Sequence, residues 1–163
     1  MTTHFRLTPR GLIGAGMRFP CSIGRGGITD KKREGDGATP VGLHHVAMTF
    51  YRPDRMKSPA PWAIPIRPRD HWCDESGHPD YNHLVTSPFA ASAEAMRRAD
   101  SLYDIVVVLD WNWPDAVPGR GSAIFLHRWR RPGTPTEGCI AFAPGHLRWI
   151  APRAVPGTRL LLH

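Results

Sequence analysis

Lysine, cysteine and long apolar runs are all scarce in this chain of 163 residues. Only Lys31, Lys32 and Lys57 are lysines, so the formal net charge of +7 is carried almost wholly by arginine, whose planar fork suits a bidentate grip on carboxylates or phosphates. Three cysteines, Cys21, Cys73 and Cys139, are too few for a disulfide-built scaffold, and an odd count leaves at least one thiol unpaired in a monomer. The longest apolar run is Ile105 to Leu109, far below the roughly 18 residues that a membrane-spanning helix needs. At the N-terminal end, Arg18 follows Gly11 to Met17 at once with no small-residue cleavage site, a pattern unlike a secretory leader.

Glycine and proline are plentiful, 16 and 17 residues, which excludes a helical bundle or coiled coil in favour of turns and short elements. A hydrophobic content of 41% supplies enough apolar surface to offset the entropy of ordering, which argues against disorder, and the length suits a single domain over residues 1–163. Val41 to Tyr51 is rich in β-formers and is stopped by Pro53, so a strand is expected. Pro59 to Pro68 carries four prolines and reads as an edge segment or extended loop. Tyr103 to Leu109 is a β-branched run suited to burial on both faces. Ala123 to Trp129, Cys139 to Phe142 and Thr158 to Leu162 are read as further strands and Pro144 to Ile150 as a helix. Ser92 to Arg98 is expected to form a second short helix, with Ser92 as its cap, and the polar stretch His71 to His83 a surface loop. The fold class that follows is mainly β, with one or two short helices.

Chemistry concentrates at the end of the strand Ala123 to Trp129. His127 closes an apolar run, and Cys139 follows Gly138 after an interval of 12 residues rich in Arg and Pro. A strand end and a later strand start placed side by side bring an imidazole within reach of a thiol. A neighbouring imidazole that takes the thiol proton makes cysteine a nucleophile, and a glycine before it allows close approach of substrate to backbone N–H groups. Glu137 beside the thiol is expected to raise its pKa unless Arg128, Arg130 or Arg131 neutralises the carboxylate.

Ile124-Phe125-Leu126-His127, followed by Thr136-Glu137-Gly138-Cys139-Ile140, resembles the motif of the YkuD-type L,D-transpeptidases, in which a strand histidine precedes a Ser/Thr-x-Gly-Cys-aliphatic turn. Upstream, Gly35-Asp36-Gly37-Ala38-Thr39-Pro40-Val41-Gly42 resembles the Gly-x-x-Thr-Pro-x-Gly segment of the same family, and the likeness covers about residues 20–160. It implies a β-sandwich catalytic domain in which Cys139 attacks a peptide carbonyl of a peptidoglycan stem to give a thioester, with His127 as general base. It further implies oxyanion contacts from the Gly138 and Cys139 N–H groups, an imidazole oriented by a backbone carbonyl near Arg128, no metal or organic cofactor, acylation by a carbapenem and a place in the cell envelope. An amine acceptor then gives a 3→3 crosslink and water gives hydrolysis. This chain departs from the family in having Glu137 where many members have His, and Ala141 where many have Arg or Asn. If Ala141 removes a substrate-binding arginine, Arg120 or Arg25 is the expected replacement to hold the stem carboxylate.

Three other readings compete. A cysteine hydrolase that only trims stem peptides shares the same acyl-enzyme. A basic polyanion-binding protein fits the charge, but the arginines are scattered and no nucleic-acid recognition motif is present. His71, Cys73, His78 and His83 offer zinc-type donors without the paired spacing of a zinc site, and Cys21 and Cys73 offer a disulfide that would leave Cys139 free.

Overall fold

The computed structural model describes residues 4–163. The chain runs through strands β1 (Phe5–Thr8), β2 (Gly11–Gly14), β3 (Met17–Phe19), β4 (Cys21–Ser22), β5 (Ile28–Thr29), β6 (Thr39–Pro40) and β7 (Gly42–Tyr51). There follow β8 (Ile64–Pro65), β9 (Asp70–Cys73), β10 (Leu84–Thr86), β11 (Ala93–Ala95), β12 (Ile105–Leu109), β13 (Phe125–Arg128) and β14 (Ile140–Phe142). Helix α1 (Pro144–Ile150), a 3-10 turn at Ala151–Arg153 and β15 (Arg159–Leu162) complete it. Ten strands form one sheet in the order β3-β2-β1-β15-β7-β12-β13-β14-β4, with β8 alongside β7. Its two edges, β3 and β4, are consecutive in the chain, separated only by Pro20, so the sheet curls until it nearly closes. The expectation of a mainly β domain holds.

Period-two alternation explains how one sheet serves two layers of core. In β12 every residue is buried: Ile105, Val107 and Leu109 join an inner cluster with Leu12, Leu126, Phe142 and Leu160, whereas Val106 and Val108 join an outer one with Phe50, Trp72 and Phe125. Each such fully buried branched side chain contributes about 1.5–3 kcal/mol, so this strand anchors both layers. Helix α1 starts on Pro144, whose missing N–H costs nothing in a first turn, and packs Leu147 and Ile150 into the inner cluster.

The outer cluster is roofed by a second sheet, β10-β9-β11, where the sequence suggested a loop and a helix. Ala93–Ala95 pairs antiparallel with His71–Cys73, and Met96 is fully buried, so Ser92 to Arg98 is a short strand followed by a bend rather than a helix. A helix of that length is marginal in water, and pairing with β9 overrides its weak propensity. His71 to His83 is likewise not a plain surface loop: Trp72, Cys73, Tyr81 and Asn82 are buried, and Trp72 packs edge-on against Phe125 with ring centroids 5.2 Å apart. Asn82 organises the turn, its carboxamide oxygen accepting from the Trp72 indole N–H at 2.9 Å and from the Ala123 N–H at 2.9 Å. No helix among the described residues is long and apolar enough to cross a membrane.

Candidate active site

Strands β13 and β14 are parallel neighbours in the register Leu126↔Ile140, His127↔Ala141. Leu126, Ile140 and Phe142 point into the inner core, so alternation turns Phe125, His127, Cys139 and Ala141 to the outer face, beneath the small sheet. Cys139 and His127 there line one cavity of about 470 Å³ together with Glu94, Tyr103, Arg130 and Glu137.

The turn that precedes Cys139 is fixed by the upstream glycine segment. Thr39, fully buried in β6, donates its hydroxyl to the Gly138 carbonyl at 2.8 Å and accepts the Gly24 N–H at 2.9 Å. Arg25 N–H donates to the Thr136 carbonyl at 2.8 Å, and Thr136 N–H to the Ile23 carbonyl at 3.0 Å. Gly138 has φ +135°, and a Cβ there would stand 2.8 Å from the Ala38 carbonyl oxygen, so only glycine fits. The two sequence motifs are therefore one structure, three loops locked together behind Cys139.

Inside that turn Thr136 Oγ1 accepts the Gly138 N–H at 3.1 Å and donates to the Cys139 carbonyl at 2.6 Å. The Gly138 amide is thereby committed, against the expectation that it faces an oxyanion. The Cys139 N–H makes no hydrogen bond among the described residues. Cys139 Sγ donates to the Ala123 carbonyl at 3.1 Å and accepts from the Phe125 N–H at 3.4 Å. Burial pushes its thiol up to about 12, only partly opposed by the Phe125 N–H.

His127, buried on β13, donates Nδ1–H to the Arg128 carbonyl at 2.7 Å, which fixes the neutral tautomer with Nε2 as the free acceptor. Burial lowers its pKa to about 4; the Arg128 carbonyl opposes the shift, and the guanidiniums of Arg98 and Arg130 reinforce it. The Tyr103 ring meets the imidazole edge-on at 5.5 Å, its hydroxyl donates to Glu94, and Arg98 lies over its face at 5.1 Å. Burial raises the Glu94 carboxyl. The resting pair at neutral pH is thus a thiol and a neutral imidazole, with no ion pair between them.

Glu137 is neutralised by Arg25, not by the arginines after His127: Arg25 Nη2 lies 2.7 Å from Oε2, and Nε donates to both oxygens. Its carboxyl is held below the usual range by that guanidinium. Arg25 is consequently occupied. Arg120 does not line the Cys139 cavity; it lies over Trp111 at 5.3 Å, beside a separate open groove with Lys31 and Arg33. Neither arginine stands where the sequence reading put it, as a free clamp beside the thiol. Sequence reasoning does not reach Tyr103, Glu94 and Arg98 as site residues: Glu94 lies on β11 and Arg98 just after it, a segment without a motif that pairs with β9, and Tyr103 stands just before β12.

Among the described residues no three His, Cys, Asp or Glu side chains group as metal ligands, and all three cysteines are free. His71 and His83 each donate Nδ1–H to a nearby backbone carbonyl, of Arg69 and Tyr81, so these donors serve turns and do not converge. Cys21 packs against the inner core, whereas Cys73 sits in the small sheet over the outer one, which leaves no disulfide between them.

No curated protein and no solved structure matches the chain. The model of the YkuD family, the L,D-transpeptidase catalytic domain, matches residues 10–162, nearly the whole chain. The fold and this extent of match place the protein in the L,D-transpeptidase catalytic domain family, whose members act on peptidoglycan.

Proposed function

We propose that the chain is a cysteine acyl transferase that makes 3→3 crosslinks between peptidoglycan stem peptides, with Cys139 as nucleophile and His127 as general base. The observation that carries this reading is the fixed tautomer of His127: its Nδ1–H is committed to the Arg128 carbonyl, which reserves Nε2 for a proton in the cavity that Cys139 also lines.

The thiol leaves the Ala123 carbonyl and passes its proton to His127 Nε2 as Sγ bonds to the scissile carbonyl carbon. The oxyanion falls to the Cys139 N–H, which has no hydrogen-bond partner among the described residues. The C–N bond then breaks, His127 returns the proton to the departing amine, and a thioester remains. An amine of a second stem attacks the thioester carbonyl and gives its proton to His127; the C–S bond breaks as the new amide forms, and His127 returns the proton to the departing sulfur to regenerate the thiol.

The test is incubation with a synthetic stem tetrapeptide and mass analysis of the products. A crosslinked dimer, lost in Cys139→Ala, is the expected result. Release of the terminal residue without dimer, also lost in Cys139→Ala, overturns the transferase reading in favour of the hydrolase. Neither product from folded, reduced protein overturns both.

A further inference from the structure

We propose that Arg130 is the specificity residue that holds the terminal carboxylate of the stem peptide, a role that rests on the reading of Cys139 and His127 above. The cavity that holds the thiol and the imidazole is lined by three cationic side chains, Lys32, Arg98 and Arg130. Two of them are spent. Lys32 is almost wholly enclosed, its ammonium 2.5 Å from Asp36 Oδ1 and 2.7 Å from the Arg33 carbonyl. Arg98 is forked onto Asp100, with Nε to Oδ1 at 2.9 Å and Nη2 to Oδ2 at 2.7 Å, and its guanidinium carbon lies over the Tyr103 ring at 5.1 Å.

Arg130 differs. Its side chain is 60% exposed, and its one ion-pair contact among the described residues is 3.9 Å long, to the Asp100 oxygen that Arg98 already holds. It stands three residues beyond His127, close enough that its charge helps to keep the imidazole neutral. Ala141, directly opposite His127 in the register, lines the cavity with no charge of its own. An unsatisfied guanidinium beside a thiol that cleaves a peptide bond suits a substrate whose leaving residue ends in a carboxylate, because arginine meets that group with two parallel N–H donors. The clamp would orient the scissile bond from its leaving side and leave the acyl side to other walls.

Two synthetic stem tetrapeptides, one ending in a carboxylate and the other in a carboxamide, separate this from a structural role. Wild type is expected to favour the carboxylate in kcat/KM by roughly tenfold or more, the usual scale of a charge-assisted pair. Arg130→Gln should lower turnover of the carboxylate peptide by a similar factor and leave the carboxamide within about twofold, so that the preference disappears. Arg130→Lys should restore part of it, as a point charge without the fork. A preference unchanged in Arg130→Gln, or an equal loss on both peptides, overturns the proposal; the equal loss is what an effect transmitted through His127 gives. Alkylation of Cys139 by neutral iodoacetamide at wild-type rate in Arg130→Gln certifies the nucleophile. If wild type turns over neither peptide, the assignment of Cys139 and His127 fails first, and the clamp with it.

Discussion

Thr39 and Gly138, 99 residues apart in the chain, share a buried hydrogen bond of 2.8 Å that ties the upstream glycine segment to the turn preceding Cys139. Thr39→Val keeps the shape but removes both the donor to the Gly138 carbonyl and the acceptor of the Gly24 N–H. Two buried backbone groups are then left unpaired, at about 1–3 kcal/mol each. Denaturant unfolding should show a loss of about 2–6 kcal/mol with an unchanged slope, and acylation of Cys139 should slow, because the loops behind it are no longer locked. Unaltered stability would mean that water replaces the hydroxyl and that the lock is not what holds the turn.

With Cys139 pushed up to about 12 and His127 lowered to about 4, both groups are neutral across the physiological range. Alkylation by iodoacetamide depends on thiolate, so its rate on the free enzyme should rise tenfold per pH unit from pH 6 through pH 9, with no plateau. A plateau beginning near pH 6 would reveal a preformed thiolate–imidazolium pair, contrary to two groups that burial keeps neutral.

Folding stability should carry the mark of His127. Its folded pKa, about 4, lies below the ordinary value of 6.5, so between these two pH values the unfolded chain binds more protons. Stability therefore rises with pH across that window, is fully present above it, and the contribution lost on acidification is about 3 kcal/mol. Comparing unfolding free energies of wild type and His127→Gln at pH 4.5 and pH 7.5 isolates it: the variant should be less sensitive to acid. Equal sensitivity would mean that the imidazole is solvated.

Much of this was legible in the sequence, and the residues show why. Ile105 to Leu109 declared itself as a two-faced strand by its β-branched, apolar run, and the helix expected over Pro144 to Ile150 is present with those bounds. The Cys139 turn and the Gly35 to Gly42 segment carried the family likeness, and the match over residues 10–162 agrees with it. What escaped was anything decided by pairing between distant segments. Ala93–Ala95 looked helical because nothing local announces β9 as its partner. Phe5–Phe19, which supplies β1 to β3 and much of the inner core, drew attention only as a possible leader, its short alternation interrupted by Gly11, Gly14 and Gly16. Arg25 and Arg120 were sensible candidates by charge, yet one is bound to Glu137 and the other stacks on Trp111, partners that no spacing rule reveals.

The most direct test of the central claim is intact-protein mass after incubation with a carbapenem, for wild type, Cys139→Ala and His127→Ala. A one-to-one adduct is expected on wild type, none on Cys139→Ala, and formation slowed roughly 10²- to 10⁴-fold on His127→Ala, the usual worth of a positioned base. An adduct that persists in Cys139→Ala, or forms equally fast without His127, would contradict it.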